Sequence, residues 1–292
     1  MAAPLDIRPF AADPAAGVGP EAGGAEVRGL TAEAVTDAGV TRAWHAALDA
    51  HQILVFRDLD LDADAQVTLL ETLGPALVEN DAGRGYQFVS NVHEEGILGD
   101  ERFAHHSDHA FMDEPIDVIA LYGLEVPSQG TQTRFVNGMR AAEVLPRELR
   151  ERIGDRRARH IIDPGAESGR IALDGPRRSE ALPHAWHPIL WEHPRTKAPI
   201  LYVSEQQTDL VEGLSDEESD ALIRSLFDHL YSGRFDYVHD WRPRDLVIWD
   251  NRALQHARAA IPAGARRTLR RVSVGGTPVY EYFRSDPKWG LD

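Results

Sequence analysis

Apolar positions recur along the chain with two different periods, and the change from one to the other sketches the fold. Across 31–50 the residues Ala34, Val35, Ala38, Trp44, Ala47 and Leu48 return near helical spacing, and the unbroken apolar run Ile53–Phe56 then reads as a short buried strand. A second amphipathic helix is predicted over 62–73, with Asp62 or Asp64 as its cap and Gly74-Pro75 as its stop. Between 78 and 102 the pattern gives way to Asp, Gly, Glu and Asn around a candidate strand at 86–92. Strands are predicted at 116–124 and 134–136, then a helix over 139–153. Two extended runs, 185–192 and 199–203, flank a turn at His193-Pro194-Arg195. Ser215 with Glu218 three residues later is a capping box and opens a helix over 215–231. The chain closes with strands at 235–240, 245–249 and 267–274, and residues 1–29, rich in Ala, Gly and Pro, predict an irregular or edge-strand beginning.

Strands at both ends with a few helices between them predict a mainly β protein with helices (α+β), an antiparallel barrel or jelly roll rather than an alternating α/β sheet. No repeat or linker interrupts it, so 1–292 is expected to be a single domain, with 79–104 and 164–184 as active-site loops.

Composition narrows the chemistry. A hydrophobic fraction of 42% with 27% charged residues is that of a soluble globular chain, and a net charge of -16 sets the overall field against a nucleic-acid backbone. With no cysteine, disulfides, thiolate nucleophiles, iron–sulfur clusters and Cys-type zinc sites are excluded, so any metal must be held by His, Asp or Glu. No signal peptide or membrane-spanning run is legible, which points to a cytoplasmic enzyme with a small-molecule substrate.

The candidate chemistry begins in Phe103-Ala-His-His-Ser-Asp-His-Ala-Phe111. His106 and Asp108 stand two apart, and in an extended strand such residues share a face and can grip one metal ion. Alone the pair is weak, since the same spacing arises as a solvated surface pair. Far downstream come Trp249-Asp250-Asn251-Arg252, His256, and the two arginines Arg267 and Arg271. In a strand Arg267, Leu269, Arg271 and Ser273 share one face; Arg266 and Arg270 lie on the other and are expected at a solvated edge. Two imidazoles and one carboxylate on one side of a metal leave three adjacent positions open, an arrangement suited to non-haem Fe(II). His106, Asp108 and His256 supply that set.

With the run Gly130-Thr131-Gln132-Thr133, these motifs make the chain resemble the iron(II)- and 2-oxoglutarate-dependent dioxygenases related to taurine dioxygenase and the 2,4-dichlorophenoxyacetate-degrading enzyme, over about 45–274. The resemblance implies a double-stranded β-helix, cupin-like core flanked by helices. It implies His106, Asp108 and His256 as catalytic ligands of Fe(2+), with 2-oxoglutarate and O2 as cosubstrates. Thr133 and Arg267, the latter eleven residues past His256, would hold the remote carboxylate of 2-oxoglutarate, for which a guanidinium offers two parallel hydrogen bonds. It further implies oxidation of a substrate C–H bond, most often hydroxylation, with release of succinate and CO2, and a homo-oligomer, dimer or tetramer. Asp108 ranks hydroxylation, desaturation or ring formation above halogenation, because halogenating relatives lack that carboxylate.

Two features depart from the family. His105 stands where an aromatic residue usually precedes the first ligand. The histidine that shares the substrate's anionic group with the second arginine has no counterpart, since no His occurs between His51 and His93 and the matching stretch reads Val78-Glu79-Asn80-Asp81. Taurine and simple alkylsulfonates are therefore disfavoured, and Arg271 with Glu79 is expected to receive a small carboxylate-bearing, amino-acid-like substrate. Two other classes stay open: a zinc-dependent hydrolase with activated water on the same ligands, and a metal-binding jelly roll that acts as a sensor without turnover.

Overall fold

The computed structural model describes residues 3–127, 129–163, 167–174 and 182–279. Among these residues strands run over Asp6–Pro9 (β1), Ala25–Arg28 (β2), Ile53–Phe56 (β3), Gln87–Ser90 (β4), Gly96–Leu98 (β5), Phe103–His106 (β6), Val118–Glu125 (β7), Thr133–Asn137 (β8), Arg157–Ile161 (β9), His184–Pro188 (β10), Leu190–Glu192 (β11), Pro199–Leu201 (β12), Thr208–Val211 (β13), Asp236–His239 (β14), Leu246–Asp250 (β15), Leu254–Arg258 (β16) and Thr268–Val274 (β17). The helices are Ala38–His51 (α1), Ala63–Glu71 (α2), Gly138–Glu143 (α3), Arg147–Ile153 (α4) and Asp216–Leu230 (α5). No helix among the described residues is long and apolar enough to cross a membrane.

Two sheets make the core. One has eight strands in the order β1-β2-β3-β15-β7-β17-β4-β5, the other four in the order β14-β8-β16-β6. The central strands of the larger sheet are apolar without alternation because both of their faces are covered. Leu54, Phe56, Val118, Ala120, Leu246 and Ile248 pack outward against Val40, Trp44 and Leu48 of α1 and Leu69 and Leu70 of α2. Their neighbours Ile53, Val55, Ile119, Leu121, Val247 and Trp249 point inward to Phe135, Tyr237 and Leu254 of the smaller sheet. The far side of that sheet is closed by α3, α4 and α5, whose Ala141, Ile153, Leu222, Ile223 and Leu226 cluster with Val136 and Phe235. This is the double-stranded β-helix core with flanking helices that the sequence predicts.

Where sequence and structure part, the reasons are local. The first long helix begins at Ala38, not at 31: Asp37 caps it by accepting from the amides of Gly39 (2.8 Å) and Val40 (3.2 Å), and Ala32–Ala34 forms a separate 3-10 turn. The helix expected over 139–153 is two helices, because Pro146 has φ −52° and ψ 141° and its ring disfavours helix at Leu145. In contrast, the Ser215–Glu218 capping box forms as expected, with Glu218 reaching back to the Ser215 amide at 2.9 Å. The loop at 79–104 contains a second strand, β5, beside the expected one. Arg258 pins its end by donating to the carbonyls of Leu98 (2.6 Å) and Gly99 (2.9 Å). Of the loop expected at 164–184, residues 164–166 and 175–181 lie outside the described residues.

β9, β13 and β16 were not predicted, since buried polar residues, Arg159, Asp209 and Gln255 among them, interrupt their apolar pattern. In β9 the guanidinium of Arg159 is buried and grips Asp209 of β13 through two bonds, Nε–Oδ1 2.9 Å and Nη2–Oδ2 2.7 Å. Asp209→Ala removes the carboxylate that makes two bonds to that buried cation and is expected to cost about 3–5 kcal/mol, read as a lowered urea midpoint. The joint change Arg159→Met with Asp209→Leu should recover most of the loss, because apolar groups of similar volume need no counter-charge.

Candidate metal centre and adjoining cavities

Strand pairing creates the centre. β16 runs antiparallel to β6 with His256 directly across from His106, and their rings lie 4.2 Å apart between centroids. Asp108 is not in the strand, as its spacing suggested, but on the turn that follows β6. The turn still brings its Oδ1 to 3.2 Å from His106 Nε2 and 3.8 Å from His256 Nε2. One donor atom from each of the three lies within 4.8 Å of the others, so the set could hold a metal ion.

Each ligand is held by groups behind it. His106 Nδ1 stands 2.8 Å from the Ala104 carbonyl, so this nitrogen carries the proton and leaves the Nε2 lone pair free. His256 packs against Trp249 at 5.1 Å, and Trp249 in turn meets Phe135 edge-on. The Asp108 turn is clamped by Asn251, which is fully buried: its Oδ1 accepts from the Asp108 amide (3.0 Å), and its Nδ2 donates to the carbonyls of Asp108 (3.0 Å) and Ile116 (2.9 Å). Burial, helped by the neighbouring His106, lowers the His256 imidazole to about 3, so it is neutral at pH 7. Burial pushes the Asp108 carboxyl up, but Arg271 with His106 and His256 outweighs it and holds the group well below its usual range. A neutral imidazole and an ionised carboxylate are the forms a divalent metal takes. Two nitrogens and one oxygen, with no sulfur, suit a first-row ion such as iron.

Behind the ligands a cavity of about 50 Å³ reaches Thr133 and Arg267. Arg267 precedes β17 and is 2% exposed; its Nε has no partner, and no carboxylate pairs with it among the described residues. Burial, with some help from Arg258, lowers it to about 9, which leaves it charged at neutral pH. Its Nη2 lies 3.5 Å from Thr133 Oγ1, and that oxygen also accepts from Trp241 Nε1 at 2.9 Å. With both lone pairs of Thr133 engaged, its own hydroxyl proton is left to donate into the cavity. Trp241 was not singled out in the sequence; its part depends on β14 and the following turn lying beside β8, which spacing does not reveal.

On the open side lies a cavity of about 350 Å³ that includes His106, Asp108 and Arg271. Arg271 faces the centre as predicted, with Nη2 2.8 Å from Asp108 Oδ2 and Nη1 3.2 Å from Gln87 Oε1. Glu79 comes within 3.6 Å of Arg271 and 3.5 Å of His109, and its side chain is 5% exposed. Gln87 was not singled out in the sequence, and His109, which flanks the candidate ligands there without standing two before an acid, was given no role. Arg266 is exposed and pairs with Glu125, as the edge reading requires. Arg270 contradicts that reading: it is buried under α2, donating to Gln66 Oε1 (2.6 Å) and the Leu61 and Asp62 carbonyls over the ring of Tyr122. His105 faces away from the ligands, 2.7 Å from Glu205 and stacked on Tyr231.

The profile of the family described as Taurine catabolism dioxygenase TauD, TfdA family matches residues 7–273. The chain is 30% identical over 249 residues to the Alpha-ketoglutarate-dependent 2,4-dichlorophenoxyacetate dioxygenase of Cupriavidus pinatubonensis, covering 77% of this chain and 85% of that one. It is 27% identical over 288 residues to the Pentalenolactone F synthase of Streptomyces avermitilis, covering 89% and 91%. Among solved structures, AAD-2 in complex with Mn(II) and N-oxalylglycine matches with a TM-score of 0.76 at 25% identity, covering 94% of this chain and 98% of that one.

Loss of the Asn251 clamp should separate ligand geometry from ligand identity. Asn251→Ala is expected to lower stability by about 2–4 kcal/mol through unpaired buried backbone groups. It should also weaken metal binding about tenfold or more by freeing the Asp108 turn. Denaturant titration and metal titration of the apo-protein check the two effects.

Proposed function

Because the chain belongs to the Taurine catabolism dioxygenase TauD, TfdA family, and is on that ground a non-haem iron(II)- and 2-oxoglutarate-dependent dioxygenase, we propose that it oxidises an unactivated C–H bond of a small molecule, by hydroxylation, with release of succinate and CO2. His106, Asp108 and His256 hold the metal in this reading, and Thr133 and Arg267 bind the remote carboxylate of 2-oxoglutarate. Ferrous iron so held would supply the redox chemistry that couples decarboxylation of 2-oxoglutarate by dioxygen to C–H oxidation.

The observation that carries the reading is the buried, unpaired Nε of Arg267 in the cavity that it lines together with the three ligands. A guanidinium removed from water needs an anion, and among the described residues the protein supplies none. A zinc hydrolase has no use for a second anion seat at that place. The chain's own residues then do four things. Arg267 and Thr133 fix one end of the keto-diacid by charge-assisted hydrogen bonds. Trp241 turns the Thr133 hydroxyl toward that end. Arg271 holds one Asp108 oxygen and leaves the other to the metal. The apolar walls, among them Phe103, Phe111 and Ile161, keep water from the reacting carbon.

Anaerobic addition of 2-oxoglutarate to the Fe(II) protein should give a weak visible charge-transfer band, absent with zinc. A screen of small molecules by mass spectrometry should show succinate formation together with a gain of one oxygen in the product. No succinate in the presence of iron, 2-oxoglutarate and O2, with any candidate substrate, would argue for a sensor. Trp241→Phe is expected to raise the 2-oxoglutarate dissociation constant about fivefold, the worth of one hydrogen bond, measured by calorimetry. In a Thr133→Val background the same change should have no further effect.

A further inference from the structure

Among the described residues two arginines line the larger cavity, Arg170 and Arg271; Arg271 also contacts the candidate ligand Asp108, and its fork is already engaged. Nη2 is bound to Asp108 at 2.8 Å, Nη1 to Gln87 at 3.2 Å, and Glu79 approaches Nη1 at 3.6 Å. Glu79 is itself held in place. Its Oε1 accepts from the Val279 amide at 3.2 Å and lies 3.5 Å from His109, while its backbone carbonyl accepts from Gln87 at 2.5 Å. Glu79 lines the adjoining groove with Asp81 and Arg84, not the cavity, so its carboxylate offers no seat to an ammonium there. The cavity has no surplus of positive charge: Arg170 and Arg271 face Asp108, Asp163 and Glu167, and Arg170 lies 3.8 Å from Asp163. Its apolar walls include Ile97, Leu98, Phe103, Phe111, Ile161 and Val279.

From this arrangement we propose that Glu79 is a specificity residue that closes Arg271 to anions, so that the substrate presents an uncharged, apolar group to the metal end of the cavity. This rests on the dioxygenase reading of the site and departs from the expectation of a carboxylate-bearing substrate on Arg271. A carboxylate or sulfonate seated there would share one guanidinium with Glu79, and like charges so placed exclude a ligand. The net charge of -16 works in the same direction on approach.

The test uses a matched pair of probes, phenoxyacetate and uncharged 2-phenoxyethanol, titrated by calorimetry into the full-length protein loaded with Mn(II) and N-oxalylglycine. The wild type should bind the alcohol more tightly than the acid by about tenfold or more. Glu79→Gln keeps the shape and the bond from Val279 but removes the charge, and should strengthen phenoxyacetate binding by a similar factor without a comparable gain for the alcohol. Glu79→Ala should do the same, and thermal unfolding by circular dichroism shows that each variant is folded. A wild type that binds the acid as tightly as the alcohol overturns the proposal. So does a folded Glu79 variant that gains no affinity for the acid, whatever the wild type binds. Failure of N-oxalylglycine to bind the Mn(II) protein would instead overturn the dioxygenase reading, a separate result read before either probe is added.

Discussion

Everything at the centre depends on one strand register, that of β16 against β6, which sets His256 across from His106. A slip of one residue would turn His256 to the opposite face and put Gln255 or Ala257 in its place. The register is fixed from the turn before it. Asp250, fully buried, accepts from His193 Nε2 (2.8 Å), Arg195 Nη2 (2.5 Å) and the amides of Arg252 (3.1 Å) and Ala253 (2.9 Å). Asn251 then reaches across to the Asp108 turn, and Arg252 pairs with Asp117 at 2.5 Å. The run Trp249-Asp250-Asn251-Arg252 is thus a positioning device for candidate ligands it does not itself contribute.

That explains which parts of the site were legible. A ligand set must come from particular side-chain chemistry at particular spacing, so His106, Asp108 and His256 stand out once the motifs are read together. The strand that carries His256 does not, because Leu254-Gln-His-Ala-Arg258 has no alternation of apolar and polar residues to mark it. The same holds for β9, where a buried Arg159 sits at a position that reads as surface. In sequence Asp108 could be placed two residues from His106, but not on a turn, since the clamp that makes the turn lies 143 residues away. Glu79 looked like one of several loop acids; its burial follows from contacts with β4, β17 and the turn after β6, none of which is local.

The arginines at the start and middle of the last strand show why position alone does not assign a charge its task. Arg270 is satisfied by carbonyls, Gln66 and the face of Tyr122, and so ties α2 to the sheet. Arg271 is satisfied by Asp108, Gln87 and Glu79. Arg267 alone of the three is buried with an unpaired nitrogen and no carboxylate beside it among the described residues. A buried cation left in that state is destabilising unless a ligand completes it. The distinction between a structural and a ligand-binding arginine therefore lies in what the protein leaves unsatisfied, which a count of arginines along a strand cannot show.

Charge balance extends the same logic to the loaded site. A divalent metal and a keto-diacid bring equal and opposite charge, and Arg267 and Asp108 offset one another. Arg271 would then remain as a single uncompensated cation beside the metal, and a substrate anion would complete it. In this chain Glu79 already does so, at 3.6 Å and out of water. Low local polarity makes such an imbalance costly in either direction. An anion added to an already neutral site is therefore disfavoured by the same physics that would recruit it to a site without Glu79. One side chain on the loop after α2 sets the sign of the charge that the metal end of the cavity tolerates.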